Sequence, residues 1–281
     1  MEKIKVKCPA KINLTLEVVN KRSDGFHNIK SVMQMISLYD FLTIEIGHGH
    51  GEKIVLSGTS DEIPYNEKNL VYKAAELYLK EAGIKDVAIN IFIEKNIPIA
   101  AGLAGGSTDA AGTIFGLNCI FKKFNHEKLE EMCSKLGSDL NVCLNGGCTK
   151  ATSRGEITEK LPDTRYSLTL IKPKNLGISA KEAYTKYSEK EYKPQNNMTE
   201  KMIEALKQGS DIRKFLYNDL EYAVFDDYKE LQIIKKEYPD AVMSGSGSTY
   251  FILNPPEITD LTGEYQVIKN LVFTANGVEV I

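Results

Sequence analysis

Residues 98–109 constrain this chain more than any other segment, because they place three glycines at the start of a helical pattern. The segment reads Pro-Ile-Ala-Ala-Gly-Leu-Ala-Gly-Gly-Ser-Thr-Asp. Glycine reaches dihedral angles closed to other residues, and the first N–H groups of a helix have no partner inside that helix. Such a loop can therefore bind phosphate with its main chain. A strand-to-helix turn capped by small residues is the alternative explanation of the same letters.

A helix is predicted to begin at this loop. Ser107 or Thr108 is expected to be its N-cap, with Asp109 in the first turn, where a carboxylate complements the helix dipole. The apolar residues that follow at helical spacing are Ala110, Ala111, Ile114, Phe115 and Leu117.

Two well-known phosphate-binding loops are excluded by the residues present. A Walker A loop ends in Gly-Lys-Ser/Thr, and no lysine occurs in residues 97–121. The dinucleotide fingerprint needs G-x-G-x-x-G, whereas Gly102 and Gly105 are separated by two residues and Gly106 follows directly. Any cation that helps to bind phosphate must therefore come from elsewhere in the chain or from a metal ion.

The charge and cysteine patterns exclude several classes of protein. With 35 basic and 38 acidic residues the net charge is -3, so there is no broad positive field for nucleic acid or an anionic membrane. Apolar runs are shorter than the roughly 18 residues of a membrane span, and residues 1–8 do not resemble a signal peptide. The five cysteines never form C-x-x-C, which indicates neither structural zinc nor a disulfide framework. We expect a cytoplasmic protein.

Strand-like and helix-like segments alternate along the chain, which predicts α+β layers. A change of pattern near residues 153–162 divides the chain into two predicted domains, 1–157 and 158–281. From Ile4 to Val18 every second residue is apolar, so a strand with one buried face is predicted. Lys11 and Asn13 lie on the opposite face, where plain solvation is the simplest explanation for a single lysine.

Three separate segments carry a resemblance to a known family. They are Ala-Lys-Ile-Asn-Leu at residues 10–14, the glycine-rich segment 98–111, and Ser-Gly-Ser-Gly-Ser-Thr at residues 244–249. In this order they resemble the GHMP kinases, the superfamily of galacto-, homoserine, mevalonate and phosphomevalonate kinases. The resemblance implies a two-domain α+β fold with mixed sheets and helices, and an active site in the cleft between the domains.

Two further segments narrow the resemblance. Residues 21–27 and 137–139 are similar to those of the GHMP kinases that phosphorylate the 2-hydroxyl of 4-diphosphocytidyl-2-C-methyl-D-erythritol in the non-mevalonate route to isoprenoid precursors. By motif position, the resemblance makes Asp139 the catalytic base and Lys11 its catalytic partner. From its sequence context alone, Asp139 could equally be a turn residue.

The resemblance also implies the cofactors. ATP is expected on the glycine-rich loop, and magnesium is expected as the counterion of the nucleotide because the loop lacks a lysine. Ser107 is the one candidate metal contact, and the metal ligands are otherwise unknown. The implied ATP-binding residues are Pro98, Ile99, Ala100, Ala101, Gly102, Leu103, Ala104, Gly105, Gly106, Ser107 and Thr108.

The substrate implied by the resemblance is a small cytidyl diphosphate sugar alcohol. Phe26 and His27 are expected to meet the cytosine base, and Tyr184 to stack on it, although a helix-core tyrosine is an equal alternative there. Asn13 is expected to contact the substrate from the same face as Lys11. The loop Gly245, Ser246 and Gly247 is expected to close on the substrate or its phosphates. The protein is expected to be a monomer or a weak homodimer.

Some residues depart from the family pattern, and two other functions stay open. Ala104 stands where glycine is common, and we expect its φ to be negative because a Cβ at positive φ is costly. Asn141 stands where proline is usual, Phe26 where tyrosine is usual, and Ser248 where proline is frequent. One alternative function is a GHMP-type kinase for another alcohol, such as homoserine, mevalonate or a sugar. The other is a nucleotide-binding relative without turnover.

Overall fold

The computed structural model describes residues 2–49, 53–191, 197–258 and 263–281. Within these ranges the chain forms two β-sheets with helices packed on them, which confirms the predicted α+β class. The strands are β1 (Glu2–Lys21), β2 (His27–His48), β3 (Lys53–Gly58), β4 (Val87–Glu94), β5 (Cys148–Ser153), β6 (Ile157–Lys160), β7 (Ser167–Pro173), β8 (Tyr217–Asn218), β9 (Val242–Met243), β10 (Tyr250–Leu253), β11 (Tyr265–Val272) and β12 (Glu279–Val280). The α-helices are α1 (Leu70–Ala82), α2 (Gly105–Phe121), α3 (His126–Leu136), α4 (Leu140–Asn145), α5 (Ala180–Glu189), α6 (Met198–Gln208), α7 (Asp219–Val224) and α8 (Lys229–Glu237).

The larger sheet is mixed and has the strand order β12-β1-β2-β4-β3. Strand β5 pairs with β2 and with β6, and β8 pairs with β1. The β3–β4 and β1–β8 pairs are parallel, and the other pairs are antiparallel. The smaller sheet is antiparallel, with the order β11-β7-β10-β9.

Strands β1 and β2 form a long antiparallel ribbon, which runs from the pair Glu2 and Ile46 to the pair Lys21 and His27. The register shifts between Pro9 and Ala10, where proline cannot donate to the ladder. The strand continues through this shift. Lys11 and Asn13 lie between this shift and a second one that follows Asn13, and they pair there with Met35 and Met33 of β2.

Strand β1 contributes to the buried apolar groups of both sheets. Val6 packs in the core between the larger sheet and the helices α1 to α4. Ile12 and Leu14 pack instead with Leu170 and Phe251 of the smaller sheet. The middle of β1 is therefore a junction between the two sheets, and Lys11 lies at it.

The start of α2 differs from the prediction. The helix begins at Gly105, and its N-cap is Ala104, which forms no side-chain capping bond, so Ser107 and Thr108 lie inside the first turn. Ala104 has φ 60°, so the expected negative φ is wrong. Ala104 itself makes the turn into the helix in the left-handed region, and no polar side chain caps the helix start.

The prediction of two domains, 1–157 and 158–281, stays a prediction. Strands β8 and β12 come from the second half of the chain and pair with β1 of the first half.

All five cysteines carry free thiols. Within the described ranges no helix is both long enough and apolar enough to cross a membrane.

Candidate active site

Lys11 and Asp139 meet in a cleft, although they are far apart in the sequence. Lys11 lies in the middle of β1, and Asp139 is the residue before α4. The Lys11 Nζ atom lies 3.5 Å from Asp139 Oδ2. The lysine side chain is 4% exposed and the aspartate side chain 29% exposed, so the carboxylate is the more accessible of the two.

The ammonium of Lys11 is held by two further contacts. It donates to Asn13 Oδ1 at 2.7 Å and to the carbonyl of Gly102 at 3.1 Å. Asn13 in turn donates from Nδ2 to Ser31 Oγ at 2.9 Å. These two bonds use two of the three donor hydrogens of the lysine, and Asp139 forms an ion pair with the same ammonium. The burial of Lys11 contradicts plain solvation as its explanation.

A cavity of about 710 Å³ opens at this pair. It has room for a ligand larger than a single sugar. It brings together most of the residues that the sequence assigned to catalysis and substrate. Those in its lining are Lys11, Asn13, Phe26, His27, Asp139, Tyr184, Gly245 and Ser246, and the loop residues Gly102, Ala104 and Ser107 join them. Gly247 does not line the cavity, and a Cβ added there would be 2.6 Å from Met243 Sδ.

The glycine-rich loop lines a second cavity, of about 270 Å³, on its other side. Residues 98–106 all contribute to this lining. Ser107 faces the larger cavity, and Thr108 is fully buried in α2. The loop therefore separates the two cavities, and Gly102 and Ala104 line both.

Lys95 is a cation at this loop that the sequence reading missed. Its Nζ contacts the carboxylates of Asp40 and Asp109, the latter at 2.8 Å. Asp40 also accepts hydrogen bonds from the main-chain N–H groups of Asn96 at 2.6 Å and Ile97 at 2.8 Å. This cluster fixes the chain where it enters the loop. The signal in the sequence was a lysine three residues before Pro98, just outside the stretch that lacks lysine.

Burial dominates the ionisation of this cluster. It raises the pKa of Asp109 to about 7, because desolvation and the charge of Asp40 outweigh the attraction of Lys95. The same two carboxylates raise the pKa of Lys95 above its ordinary value against the opposing effect of burial. The lysine therefore stays charged, while Asp109 binds a proton more readily than an ordinary aspartate.

Aromatic rings form one wall of the larger cavity. The rings of His27 and Tyr184 stack with centroids 5.0 Å apart and planes 14° apart. The Nε2 atom of His27 lies 3.0 Å from Ser188 Oγ. Burial raises the pKa of the Tyr184 phenol well above its ordinary value, with the charge of Asp139 adding to the effect. Tyr184 thus lines the cavity and also packs against the core, and its stacking on a base stays a prediction.

Phe26 and several cations border the same cavity. Phe26 is 53% exposed at the rim, and the guanidinium carbon of Arg154 lies 5.2 Å from the centroid of its ring. Lys21 and Lys181 also line the cavity. The sequence reading missed Arg154 and Lys181 because they lie outside the recognised motifs, and only the fold brings them here. Their charges suit an anionic ligand.

Two glycine loops touch through their main chains beside Lys11. A Cβ added at Gly102, which has φ 73°, would be 2.0 Å from the carbonyl oxygen of Ser244. A Cβ added at Gly245, which has φ 56°, would be 3.2 Å from Lys11 Nζ. Ser244 Oγ donates to the Gly102 carbonyl at 3.0 Å. Glycine is required at both positions for this close approach.

Comparison with known proteins identifies the class of this fold. Residues 69–148 match the family model described as the GHMP kinases N terminal domain. The crystal structure of homoserine kinase from Cytophaga hutchinsonii has a similar fold, with a TM-score of 0.73 at 19% identity over 100% of this chain and 98% of that one. Mevalonate kinase from Methanococcus jannaschii has a TM-score of 0.71 at 13% identity over 98% and 99% of the two chains. The chain therefore has the GHMP kinase fold, which confirms that prediction.

More similar relatives narrow the class. The 4-diphosphocytidyl-2-C-methyl-D-erythritol kinase of Caldanaerobacter subterraneus subsp. tengcongensis is 38% identical over 99% of this chain and 100% of its own length. A crystal structure of 4-(cytidine 5'-diphospho)-2C-methyl-D-erythritol kinase has a TM-score of 0.77 and 28% identity, over 96% of this chain and 100% of that one. The chain belongs to the family of 4-diphosphocytidyl-2-C-methyl-D-erythritol kinases.

Proposed function

We propose that this protein transfers the γ-phosphoryl group of ATP to the 2-hydroxyl of 4-diphosphocytidyl-2-C-methyl-D-erythritol, a step towards isoprenoid precursors by the non-mevalonate route. Family membership supports the activity. The observation that carries the proposal for this chain is the pairing of Lys11 with Asp139 at 3.5 Å in a cavity that one side of the glycine-rich loop borders. The wall formed by His27 and Tyr184 lies in the same cavity.

We assign the proton transfer to Asp139. Phosphoryl transfer depends mainly on positioning and on stabilisation of charge, and a positioned base contributes about 100- to 10,000-fold. The Asp139 carboxylate is the accessible member of its pair, so it can accept the hydroxyl proton of a bound alcohol. Lys11 orients this carboxylate and offsets the charge that develops on the transferred group. Asn13 holds the lysine in place.

We place ATP on the glycine-rich loop, residues 98–108, and the cytidyl group against Phe26, His27 and Tyr184. The free main-chain N–H groups at the start of α2 suit phosphate. Arg154, Lys21 and Lys181 suit the diphosphate of the substrate. Gly245, Ser246 and Gly247 form the loop that borders the reacting groups.

The side chains beside the loop suit a magnesium ion that is bound mainly by the phosphates of the nucleotide. Within the described ranges no cluster of three or more His, Cys, Asp or Glu side chains could hold a metal. Magnesium commonly binds through nucleotide phosphates and few protein ligands, and it keeps several water molecules. The hydroxyl of Ser107 lines the cavity beside the loop and is the side chain that we propose to contact the ion. Bound there, magnesium would neutralise charge on the phosphates.

Two broader proposals rest on the sequence alone. They are a cytoplasmic location and a monomeric or weakly dimeric state. Sedimentation equilibrium of the purified protein over a range of concentrations tests the second proposal.

The proposed function is tested by a coupled assay of ATP consumption with the cytidyl substrate, homoserine, mevalonate and a sugar as separate acceptors. We expect turnover with the cytidyl substrate alone. Turnover with another acceptor in its place would show a kinase of the same fold with a different substrate. ATP binding without a phosphorylated product from any acceptor would show a non-catalytic relative.

A further inference from the structure

Asn218 is joined to the wall of the active site without lining it. It ends β8 and is the N-cap of α7, and it is 4% exposed. It borders a separate cavity of about 350 Å³ instead of the one at Lys11. Its Oδ1 accepts the N–H of Leu220 at 2.8 Å, which is the capping bond of the helix.

Both N–H groups of the Asn218 side chain are directed at the second glycine loop. The Nδ2 atom donates to the carbonyl of Met243 at 2.6 Å and to the carbonyl of Gly245 at 2.8 Å. An asparagine amide has two donor hydrogens, so this loop takes its whole donor capacity. A nearly buried amide committed in this way fixes the two carbonyls relative to one another.

Gly245 in turn lies close to Lys11. Its main chain leaves no room for a side chain, because an added Cβ would be 3.2 Å from Lys11 Nζ and 3.0 Å from the Gly102 carbonyl oxygen. The preceding residue, Ser244, accepts the N–H of Asn13 at 3.3 Å. The loop therefore packs beside the ammonium of Lys11 and beside the strand that carries it.

Asn218 and the residue after it are also bonded to β1, the strand that carries Lys11. Strand β8 pairs in parallel with β1, and Asn218 is opposite Leu16 in that pairing. The next residue, Asp219, accepts the N–H of Val18 in β1 at 2.7 Å. Asn218 thus connects the second glycine loop to β1 by a short rigid path.

We propose that Asn218 is a positioning residue, which holds the main chain of Gly245 against Lys11 and so sets the place of the ammonium beside the transferred phosphoryl group. It acts through Gly245 and touches neither substrate nor nucleotide. The inference rests on the proposed function, because turnover is one of its two readouts. The other readout, the protection of the loop, does not depend on turnover.

Two substitutions of Asn218 change its donors while keeping a cap on α7. Asn218→Asp keeps the size of the side chain and a good helix cap, but it removes both donors and sets a carboxylate against two carbonyl oxygens. Asn218→Ser keeps the cap in a shorter form that cannot span both carbonyls. The matched control is Asn118→Asp, because Asn118 also donates to a carbonyl and accepts an N–H, both of Phe124, at the far end of α2.

In both Asn218 variants we expect kcat to fall about 10- to 100-fold, since a misplacement of about 1 Å near the reacting groups costs on the order of 100-fold. The KM for the cytidyl substrate should change less than about threefold, because both variants keep a cap on α7, the helix against which Tyr184 packs. Hydrogen exchange of a peptide covering residues 243–249 should speed up about tenfold, as expected when a local contact opens. Asn118→Asp should lower the melting temperature without either effect.

Several results would overturn the proposal. One is a folded Asn218→Asp or Asn218→Ser protein with kcat within about twofold of the parent. Another is unchanged exchange over residues 243–249, and a third is an equal loss of kcat in Asn118→Asp. A parent protein without turnover on the cytidyl substrate would contradict the proposed function, and the exchange measurement alone would then decide the role of Asn218.

Discussion

Lys11 shows how a residue acquires its role from distant parts of the chain. The alternation in β1 correctly places Lys11 on the face opposite the apolar residues, but from the sequence that face is expected to be exposed to solvent. The structure covers it with the Gly102 carbonyl, 91 residues away, and with the loop at Gly245. A buried ammonium is stable only with such partners. The motif of residues 10–14 made Lys11 a candidate, whereas its burial could not be predicted from the residues beside it in the sequence.

Tyr184 gives a test of the aromatic wall. Tyr184→Ala should raise the KM for the cytidyl substrate about 5- to 150-fold, because base stacking on an aromatic side chain is worth about 1–3 kcal/mol. The control Tyr184→Phe keeps the ring and should behave like the parent. Steady-state kinetics with the cytidyl substrate varied measures both. If Tyr184→Ala lost stability but kept its KM, the tyrosine would be a core residue only.

Asp109 gives a pH test of the cluster at Lys95. Its pKa is raised to about 7 in the folded protein, against about 3.9 in an unfolded chain. Between these values the folded state keeps a proton that the unfolded state releases, so this group's contribution to stability is present below about pH 4 and is lost as the pH rises through about 7. Asp109→Asn should remove this part of the slope.

The measurement for Asp109 is the free energy of unfolding in urea across this pH range, for the parent and Asp109→Asn. The parent should lose stability relative to the variant as the pH rises. Asp226→Asn, at a surface ion pair with Lys190, serves as the control and should give a curve parallel to the parent. Parallel curves for the parent and Asp109→Asn would show that the carboxyl at 109 is not held protonated.

At the scale of elements, local patterns predicted most of the regular structure. The strand predicted by alternation in β1 and the helix predicted by the apolar spacing of residues 110–117 both appear. The patterns failed where a short element depends on its surroundings. Asp139 reads as a turn residue, yet it is the N-cap residue of the short helix α4, whose residues 140–144 are all buried. Packing, and not propensity, stabilises so short a helix.

Ala104 tests the turn into α2. It adopts φ 60°, where a Cβ is strained, so Ala104→Gly should keep or increase stability by up to about 1 kcal/mol. Ala104→Val should destabilise by about 1–3 kcal/mol, since a β-branched residue is poorly tolerated at positive φ. Urea denaturation compares the two variants with the parent. A clear loss of stability in Ala104→Gly, with none in Ala104→Val, would mean that φ at this position is negative.

At the scale of the whole molecule, the site is a junction of two sheets and two glycine loops. The three motifs are separated by most of the chain, and β1 brings them together because it packs in the cores of both sheets. Motif order predicted which segments meet. The contact of Gly102 with Ser244, the cluster at Lys95 and the position of Arg154 arise only from the packed fold, which a single sequence does not display.

The junction is tested by two glycines of the same loop. Gly102→Ala would place a Cβ 2.0 Å from the Ser244 carbonyl oxygen at φ 73°, so it should force the loops apart and lower both stability and kcat. Gly106 has open space around it in the first turn of α2, so Gly106→Ala should keep stability or raise it by about 0.5–1 kcal/mol. Melting temperatures separate the two, because Gly106 also belongs to the proposed ATP-binding loop and its substitution can change kcat by itself. Equal effects of both substitutions would contradict the close approach at Gly102.

The central claim is that Asp139 beside Lys11 takes the proton of the acceptor alcohol. The most direct measurement is the single-turnover rate of Asp139→Asn with saturating ATP and cytidyl substrate, with Asp163→Asn, a half-exposed carboxylate near Lys160, as the control. We expect a fall of about 100- to 10,000-fold for Asp139→Asn with an unchanged melting temperature, and no change for Asp163→Asn. A folded Asp139→Asn protein with a rate near that of the parent would contradict it.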